Sequence, residues 1–121
     1  MTMKNKIPQI FGVLAIAGAL FFLLGAGGPT LSSDEAKALV KQGALLLDVR
    51  TPAEFSAGHL EGAVNIPVQE LDAKLASVPA KKDQPIVVYC HSGRRSASAK
   101  QMLEQAGFTK VSDLGAMTNW K

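Results

Sequence analysis

Short apolar runs alternate with helical patterns along most of the chain. Residues 44–49 and 85–89 are continuous apolar or nearly apolar runs. They are too short for typical helices, so they predict strands that are buried on both faces, as in parallel sheets. Residues 63–66, closed by Pro67, and residues 110–114 predict two further strands.

Helical periodicity occupies the intervals between these strands. The sequence Ser-Ser-Asp-Glu at 32–35 predicts an N-cap and a helix of about ten residues that ends at Gly43. One helical turn is expected over 54–59, a helical pattern covers 71–78, and residues 96–106 predict a helix ended by Gly107. Strands alternating with helices predict an α/β domain with a mainly parallel sheet flanked by helices.

The N-terminal region has a different pattern. Lys4 and Lys6 precede residues 10–28, nineteen residues without a charge. This order is typical of a signal peptide, and the length approaches the ~20 residues of a membrane-spanning helix. We therefore expect residues 1–28 to be a cleaved signal peptide or a retained N-terminal hydrophobic helix that anchors the chain in the membrane, and residues 29–121 to form the folded domain.

This segment also predicts where the domain resides. The lysines before the apolar run should stay in the cytoplasm, so the domain after it should face outward. For a bacterial chain that compartment is the periplasm. Without Lys4 and Lys6, eleven of the 13 basic residues stand against 10 acidic ones, so nucleic-acid binding is not indicated.

Cys90 is the only cysteine of the chain and lies at the end of the second apolar strand. It cannot form an internal disulfide, and in an α/β sheet the carboxyl end of a strand is where ligands collect. If residues 91–95 curl around the sulfur, their amides form an anion cradle, and Gly93 supplies the backbone freedom for that curl. With the cations Arg94 and Arg95 and the following helix N-terminus, this arrangement favours a reactive thiolate over a buried, inert thiol.

The sequence Cys-His-Ser-Gly-Arg-Arg-Ser at 90–96 resembles the active-site loop of rhodanese sulfurtransferases, Cys-x-x-Gly-x-Arg-Ser. The similarity extends to residues 47–50 and 58–67 and to the closing Gly115 and Trp120. The motifs are separate, occur in the expected order and cover about residues 30–121. The short N-terminal segment makes the chain similar to the small periplasmic members of the phage-shock type.

The resemblance implies a rhodanese-like fold and a persulfide mechanism. Cys90 would attack the outer sulfur of thiosulfate or a similar small anionic donor and pass this sulfur to cyanide or a thiol. Arg95 would be the family's loop arginine and a catalytic residue, and no metal or organic cofactor would be needed. The residues implied in substrate binding are His91, Ser92, Gly93, Arg94 and Ser96.

Three charged residues lie at or just after the end of the first buried strand. Asp48, Arg50 and Glu54 are expected to form ion pairs that fix the neighbouring loop, with Asp48 and Arg50 as structural support of the site. Asp48 is also expected to lie close enough to Cys90 to influence it. Because an unpaired carboxylate would raise the thiol pKa, we expect Arg50 or a backbone donor to compensate its charge.

Two other functions compete with sulfur transfer. Related phosphatases place five residues between the cysteine and the arginine, whereas here Arg95 follows Cys90 after four and Ser96 occupies the phosphatase position. The spacing therefore favours sulfur transfer. The second alternative is a sulfur-carrier or partner-binding module that accepts persulfide from a protein donor, and the sequence leaves it open.

Overall fold

A computed structural model describes residues 30–121, which form a four-stranded parallel sheet with helices on both faces. The elements are α1 (Ser33–Lys41), β1 (Leu45–Asp48), α2 (Pro52–Ala57), β2 (Val64–Asn65), α3 (Val68–Leu71), a 3₁₀ helix (Asp72–Ser77), β3 (Ile86–Cys90), α4 (Arg94–Gln105), β4 (Val111–Ala116) and a 3₁₀ helix (Met117–Asn119).

The expected N-terminal helix and the apolar run at 10–28 lie outside the described residues. Within residues 30–121, no helix has the length and apolar character needed to cross a membrane.

The strand order is β2-β1-β3-β4, and every pairing is parallel. All residues of the central strand β3 are buried, as its continuous apolar sequence predicts. Asp48 pairs with Tyr89, so β1 and β3 end at the same edge of the sheet. The predicted α/β architecture is confirmed, and Cys90 lies at this carboxyl edge.

Side-chain alternation along β3 separates two cores. Val88 and Cys90 face α4 and pack in a cluster with Leu103, whereas Tyr89 faces α1 and packs in a cluster with Ala36. The same alternation along β1 places Leu47 with the first cluster and Leu46 with the second. Each buried strand therefore supplies side chains to both layers of the domain.

Two capping boxes fix the starts of helices. The Ser32 hydroxyl accepts from the Glu35 N–H, and the Glu35 carboxylate accepts from the Ser32 N–H, which begins α1 as the sequence predicts. Thr51 and Glu54 form the same reciprocal pair at α2, where Pro52 occupies the first helical turn. Glu54 is thereby held in a defined position after β1.

Two helices differ from the sequence expectation. Helix α4 begins at Arg94 rather than near Ser96, because Gly93 adopts a left-handed φ of 98° as its N-cap and turns the chain directly into the helix. The predicted helix over 71–78 is a short α-helix followed by 3₁₀ turns, with Lys74 outside helical geometry. Burial of Leu71 and Val78 is achieved by this irregular winding, so packing overrides the regular period.

Candidate active site

The sulfur of Cys90 is surrounded by hydrogen-bond donors of the loop and of the first turn of α4. Cys90 is fully buried. Its Sγ accepts from the Gly93 N–H at 2.9 Å and from the Ser96 N–H at 3.3 Å. The Ser96 Oγ lies 3.6 Å from the sulfur. The backbone therefore curls around the sulfur.

These contacts decide the ionisation of Cys90. Burial raises the pKa of the thiol, but hydrogen bonds from the Ser96 side chain and backbone, and from the amides of Gly93 and Ser92, oppose it. The net effect is a pKa below the ordinary cysteine value. Because the thiolate is the nucleophile, the loop favours the reactive form of Cys90.

The loop is stabilised by a hydrogen bond between its own residues and by packing against strand β4. The buried Ser96 hydroxyl donates its proton to the Gly93 carbonyl at 3.1 Å and accepts from the Cys90 thiol at 3.6 Å. A Cβ added to Gly93 would lie 3.5 Å from the Gly115 Cα, so the loop approaches the β4 backbone closely. Strand β4 fits an extra residue, Leu114, between the partners of Val88 and Tyr89, and this irregularity lies beneath the loop.

The two arginines have different surroundings. Arg95 Nη1 donates to Glu54 Oε1 at 2.7 Å, and Arg95 Nη2 donates to Glu54 Oε2 at 3.0 Å. Arg94 is exposed and, within residues 30–121, forms no ion pair. His91 and Ser92 are also exposed. Of the predicted loop residues, Gly93 and Ser96 donate the close hydrogen bonds to the Cys90 sulfur, His91, Ser92 and Arg94 form the accessible rim, and Arg95 is partly buried.

The predicted ion pair between Asp48 and Arg50 is present and buried. The Asp48 carboxylate accepts from Arg50 Nη2 at 2.7 Å and from the Arg50 backbone N–H at 2.9 Å. Arg50 Nη2 also donates to the Gly58 carbonyl at 2.7 Å, which joins the two ends of α2 to the strand edge. Both compensating donors that the sequence predicts are therefore used.

The structure adds two details to that prediction. Asp48 shares a face of the sheet with Leu46, whereas Cys90 projects from the other face, because alternate residues of a strand point in opposite directions. The hydrogen bonds that set the Cys90 pKa come from the loop and α4. Glu54 does not join the Asp48–Arg50 pair, and its partner is Arg95.

The sequence did not predict the partner of Glu54 or the burial of Asp113. The capping pattern from Thr51 to Glu54 indicates where Glu54 sits on its helix, but its partner is 41 positions away. Asp113 is almost completely buried, and its Oδ1 accepts from the Gly115 N–H at 2.8 Å. Burial raises the pKa of Asp113, against hydrogen bonds from Ser96 and Gly115. No local sequence signal marks this carboxyl.

His, Cys, Asp and Glu side chains are dispersed in the described part of the chain. Within residues 30–121, no group of three or more His, Cys, Asp or Glu side chains is placed to hold a metal ion. The only free cysteine of these residues is Cys90. The groups that donate to its sulfur are backbone N–H groups, which suit an anion.

Comparisons with known proteins agree with this geometry. The Rhodanese-like domain family matches residues 32–121. Thiosulfate sulfurtransferase PspE of Escherichia coli K12 is 37% identical over 71 residues, covering 59% of this chain and 68% of that protein. Human thiosulfate:glutathione sulfurtransferase is 36% identical over 109 residues, covering 78% of this chain and 95% of that protein.

A solved structure shares the fold. The human single-domain sulfurtransferase TSTD1 superposes with a TM-score of 0.68 at 35% identity, covering 79% of this chain and 96% of that one. The chain belongs to the rhodanese-like domain family and has the rhodanese fold. It is a rhodanese-type enzyme, since several of its relatives are named thiosulfate sulfurtransferases.

The first prediction concerns Ser96. Ser96→Ala removes the hydroxyl that contacts the sulfur and the Gly93 carbonyl but keeps the backbone amide. We expect the pKa of Cys90 to rise, because the thiolate loses a stabilising hydrogen bond. The rate of Cys90 alkylation by iodoacetamide, measured against pH, should then reach its half-maximal value at a higher pH than in the wild type.

Ser98→Ala is the matched control, because Ser98 is exposed on the same helix. Its alkylation profile should coincide with that of the wild type. A Ser96→Ala profile that also coincides with the wild type would show that the hydroxyl does not stabilise the thiolate.

Proposed function

We propose that this protein is a thiosulfate sulfurtransferase that carries sulfur on Cys90 as a persulfide. The observation that carries the proposal is the convergence of the Gly93 and Ser96 amides on a buried sulfur whose pKa is lowered. The name of the bacterial relative, thiosulfate sulfurtransferase, supports thiosulfate as the donor.

The first half-reaction is a displacement at sulfur. The Cys90 thiolate attacks the outer sulfur of thiosulfate, a new S–S bond forms, and the old S–S bond breaks. Sulfite leaves with the bonding electron pair, and the enzyme keeps one added sulfur as the persulfide anion. The donors that face the Cys90 sulfur are placed to stabilise this anion as well. No proton transfer is needed, so an exposed His91 is not required as a base.

The second half-reaction returns the enzyme to its starting state. Cyanide or a thiolate attacks the outer persulfide sulfur, and Cys90 leaves as the thiolate with the electron pair. The name of the human relative includes glutathione, which supports a thiol as a physiological type of acceptor. An organic cofactor is not needed, because Cys90 itself carries the sulfur.

The charged rim recruits the donor in this proposal. Arg94 is exposed in the first turn of α4, where its cation and the helix N-terminus attract a small dianion. Arg95 occupies the position of the family's catalytic arginine, and its charge interacts with that of Cys90. His91 and Ser92 form the outer edge of the loop, where they meet the bound donor.

Steady-state assays separate this function from its rivals. The wild type should form thiocyanate from thiosulfate and cyanide and should not hydrolyse an aryl phosphate, because the loop has four residues between Cys90 and Arg95. Cys90→Ser should fall to the uncatalysed rate, since it lacks the nucleophile. Aryl phosphate turnover without thiocyanate formation would contradict the proposal.

The carrier alternative has its own signature in these assays. A carrier would show negligible thiosulfate turnover but would accept sulfur from a persulfidated protein donor. Its Cys90→Ser variant would still bind that donor protein in a pull-down. This pair of results would replace the proposed function by the carrier function.

We also propose that the domain is exported to the periplasm, either cleaved or tethered to the inner membrane by residues 10–28. The proposal is supported by the lysines at 4 and 6 and the uncharged run that follows. In a bacterial host, full-length protein should be accessible to protease after the outer membrane is opened, and N-terminal sequencing should show whether the segment is retained. Protection equal to that of a cytoplasmic protein would contradict export.

A further inference from the structure

The ion pair between Glu54 and Arg95 joins the α2 start to the first turn of α4. Both carboxylate oxygens of Glu54 engage the Arg95 guanidinium, at 2.7 and 3.0 Å. Planar bidentate pairs of this kind are among the strongest surface hydrogen bonds. The pair spans two elements that are far apart in sequence, and it lies beside the loop that holds Cys90.

Glu54 is fixed from its own side as well. Its Oε1 also accepts from the Thr51 N–H and hydroxyl, each at 3.1 Å. Hydrogen bonding from Arg95, together with that from Thr51, lowers the pKa of Glu54 to about 2. The carboxylate is therefore ionised throughout the pH range in which the enzyme can work, and its negative charge always faces Arg95.

Arg95 is also coupled to the reacting group. Hydrogen bonding to Glu54 raises the pKa of Arg95, and the charges of Cys90 and Asp48 add to this effect. The next residue, Ser96, donates its N–H to the Cys90 sulfur. The positive charge of Arg95 thus lies close enough to act on the thiolate, but a carboxylate is bound to it from the other side.

We propose that Glu54 is a specificity-determining residue that masks the charge of Arg95. This inference rests on the proposed function. The masked pair leaves the exposed Arg94 as the cation that recruits the donor. The site then has only a moderate attraction for small dianions, and donors and acceptors of lower charge can compete with thiosulfate. Glu54 touches neither the sulfur nor the donor, so it acts as a positioning residue through Arg95.

Glu54→Gln tests this role with little disturbance of the helix. Glutamine retains an oxygen that can accept from Thr51, and it suits the capping box as glutamate does. Because the charge of Arg95 is then exposed to the donor, we expect the KM for thiosulfate to fall about three- to tenfold. For a monoanionic donor such as methanethiosulfonate, we expect a smaller fall of about two- to threefold, since its charge is half as large.

A second readout does not depend on sulfur transfer. In Glu54→Gln, the unmasked guanidinium should lower the pKa of Cys90 further, so that iodoacetamide alkylation reaches its half-maximal rate at a lower pH than in the wild type. A purely structural role for Glu54 would not move the profile in this direction.

The matched control is Glu104→Gln. Glu104 pairs with Lys100 at 3.2 Å near the C-terminal end of α4, the helix whose first turn contains Arg95, so the variant removes an equal formal charge away from the site. Its thiosulfate KM and alkylation profile should stay at wild-type values. Glu54→Asp keeps the charge and the acid in the first turn but shortens the side chain. It should therefore change the thiosulfate KM and the alkylation profile in the same direction as Glu54→Gln, but by less. It also provides the test if the glutamine variant folds poorly.

The two possible roles of Glu54 predict opposite changes in the KM for thiosulfate. If Glu54 instead holds Arg95 in place to bind the donor, both Glu54 variants will raise the thiosulfate KM, and that result, or an unchanged KM, overturns the inference. Failure of the proposed function is a separate result, because the wild type itself would then transfer no sulfur. The alkylation profiles would still report whether Glu54 masks the charge near Cys90.

Discussion

The buried Cys90 sulfur depends on the hydrogen-bond donors that surround it. Placing an anion in a buried position is unfavourable unless hydrogen bonds replace its lost hydration. Here the replacement comes from the Gly93 and Ser96 amides, and the thiol pKa falls despite burial. The same donors suit a persulfide anion, so one arrangement serves both covalent states of the cysteine.

The fold places the Cys90 loop between the buried strand β3 and helix α4 and supports it from neighbouring elements. Strand β3 is fully buried and ends at Cys90, and α4 begins only four residues later through the left-handed Gly93. The close contact of Gly93 with Gly115 ties the loop to β4. On the other side, the buried Asp48–Arg50 pair and the Thr51–Glu54 capping box position the carboxylate that binds Arg95. Charge beside the sulfur is therefore set by residues from three parts of the chain.

Much of this could be predicted from local sequence. Continuous apolar runs identified β1 and β3, and the capping residue Ser32 identified the start of α1. The loop and its nucleophile followed from the spacing of Cys90, Gly93 and the arginines. The pairing of Glu54 with Arg95 and the burial of Asp113 could not be predicted, because they depend on how α2, α4 and β4 pack. The face on which Asp48 lies depends on strand register, which the apolar runs alone do not define.

The central claim is that Cys90 carries the transferred sulfur. Intact-mass spectrometry of the purified protein after incubation with thiosulfate tests it most directly. We expect a single added sulfur atom that cyanide removes and that Cys90→Ser does not acquire. An unchanged mass in the wild type, or an adduct that persists in Cys90→Ser, would contradict the claim.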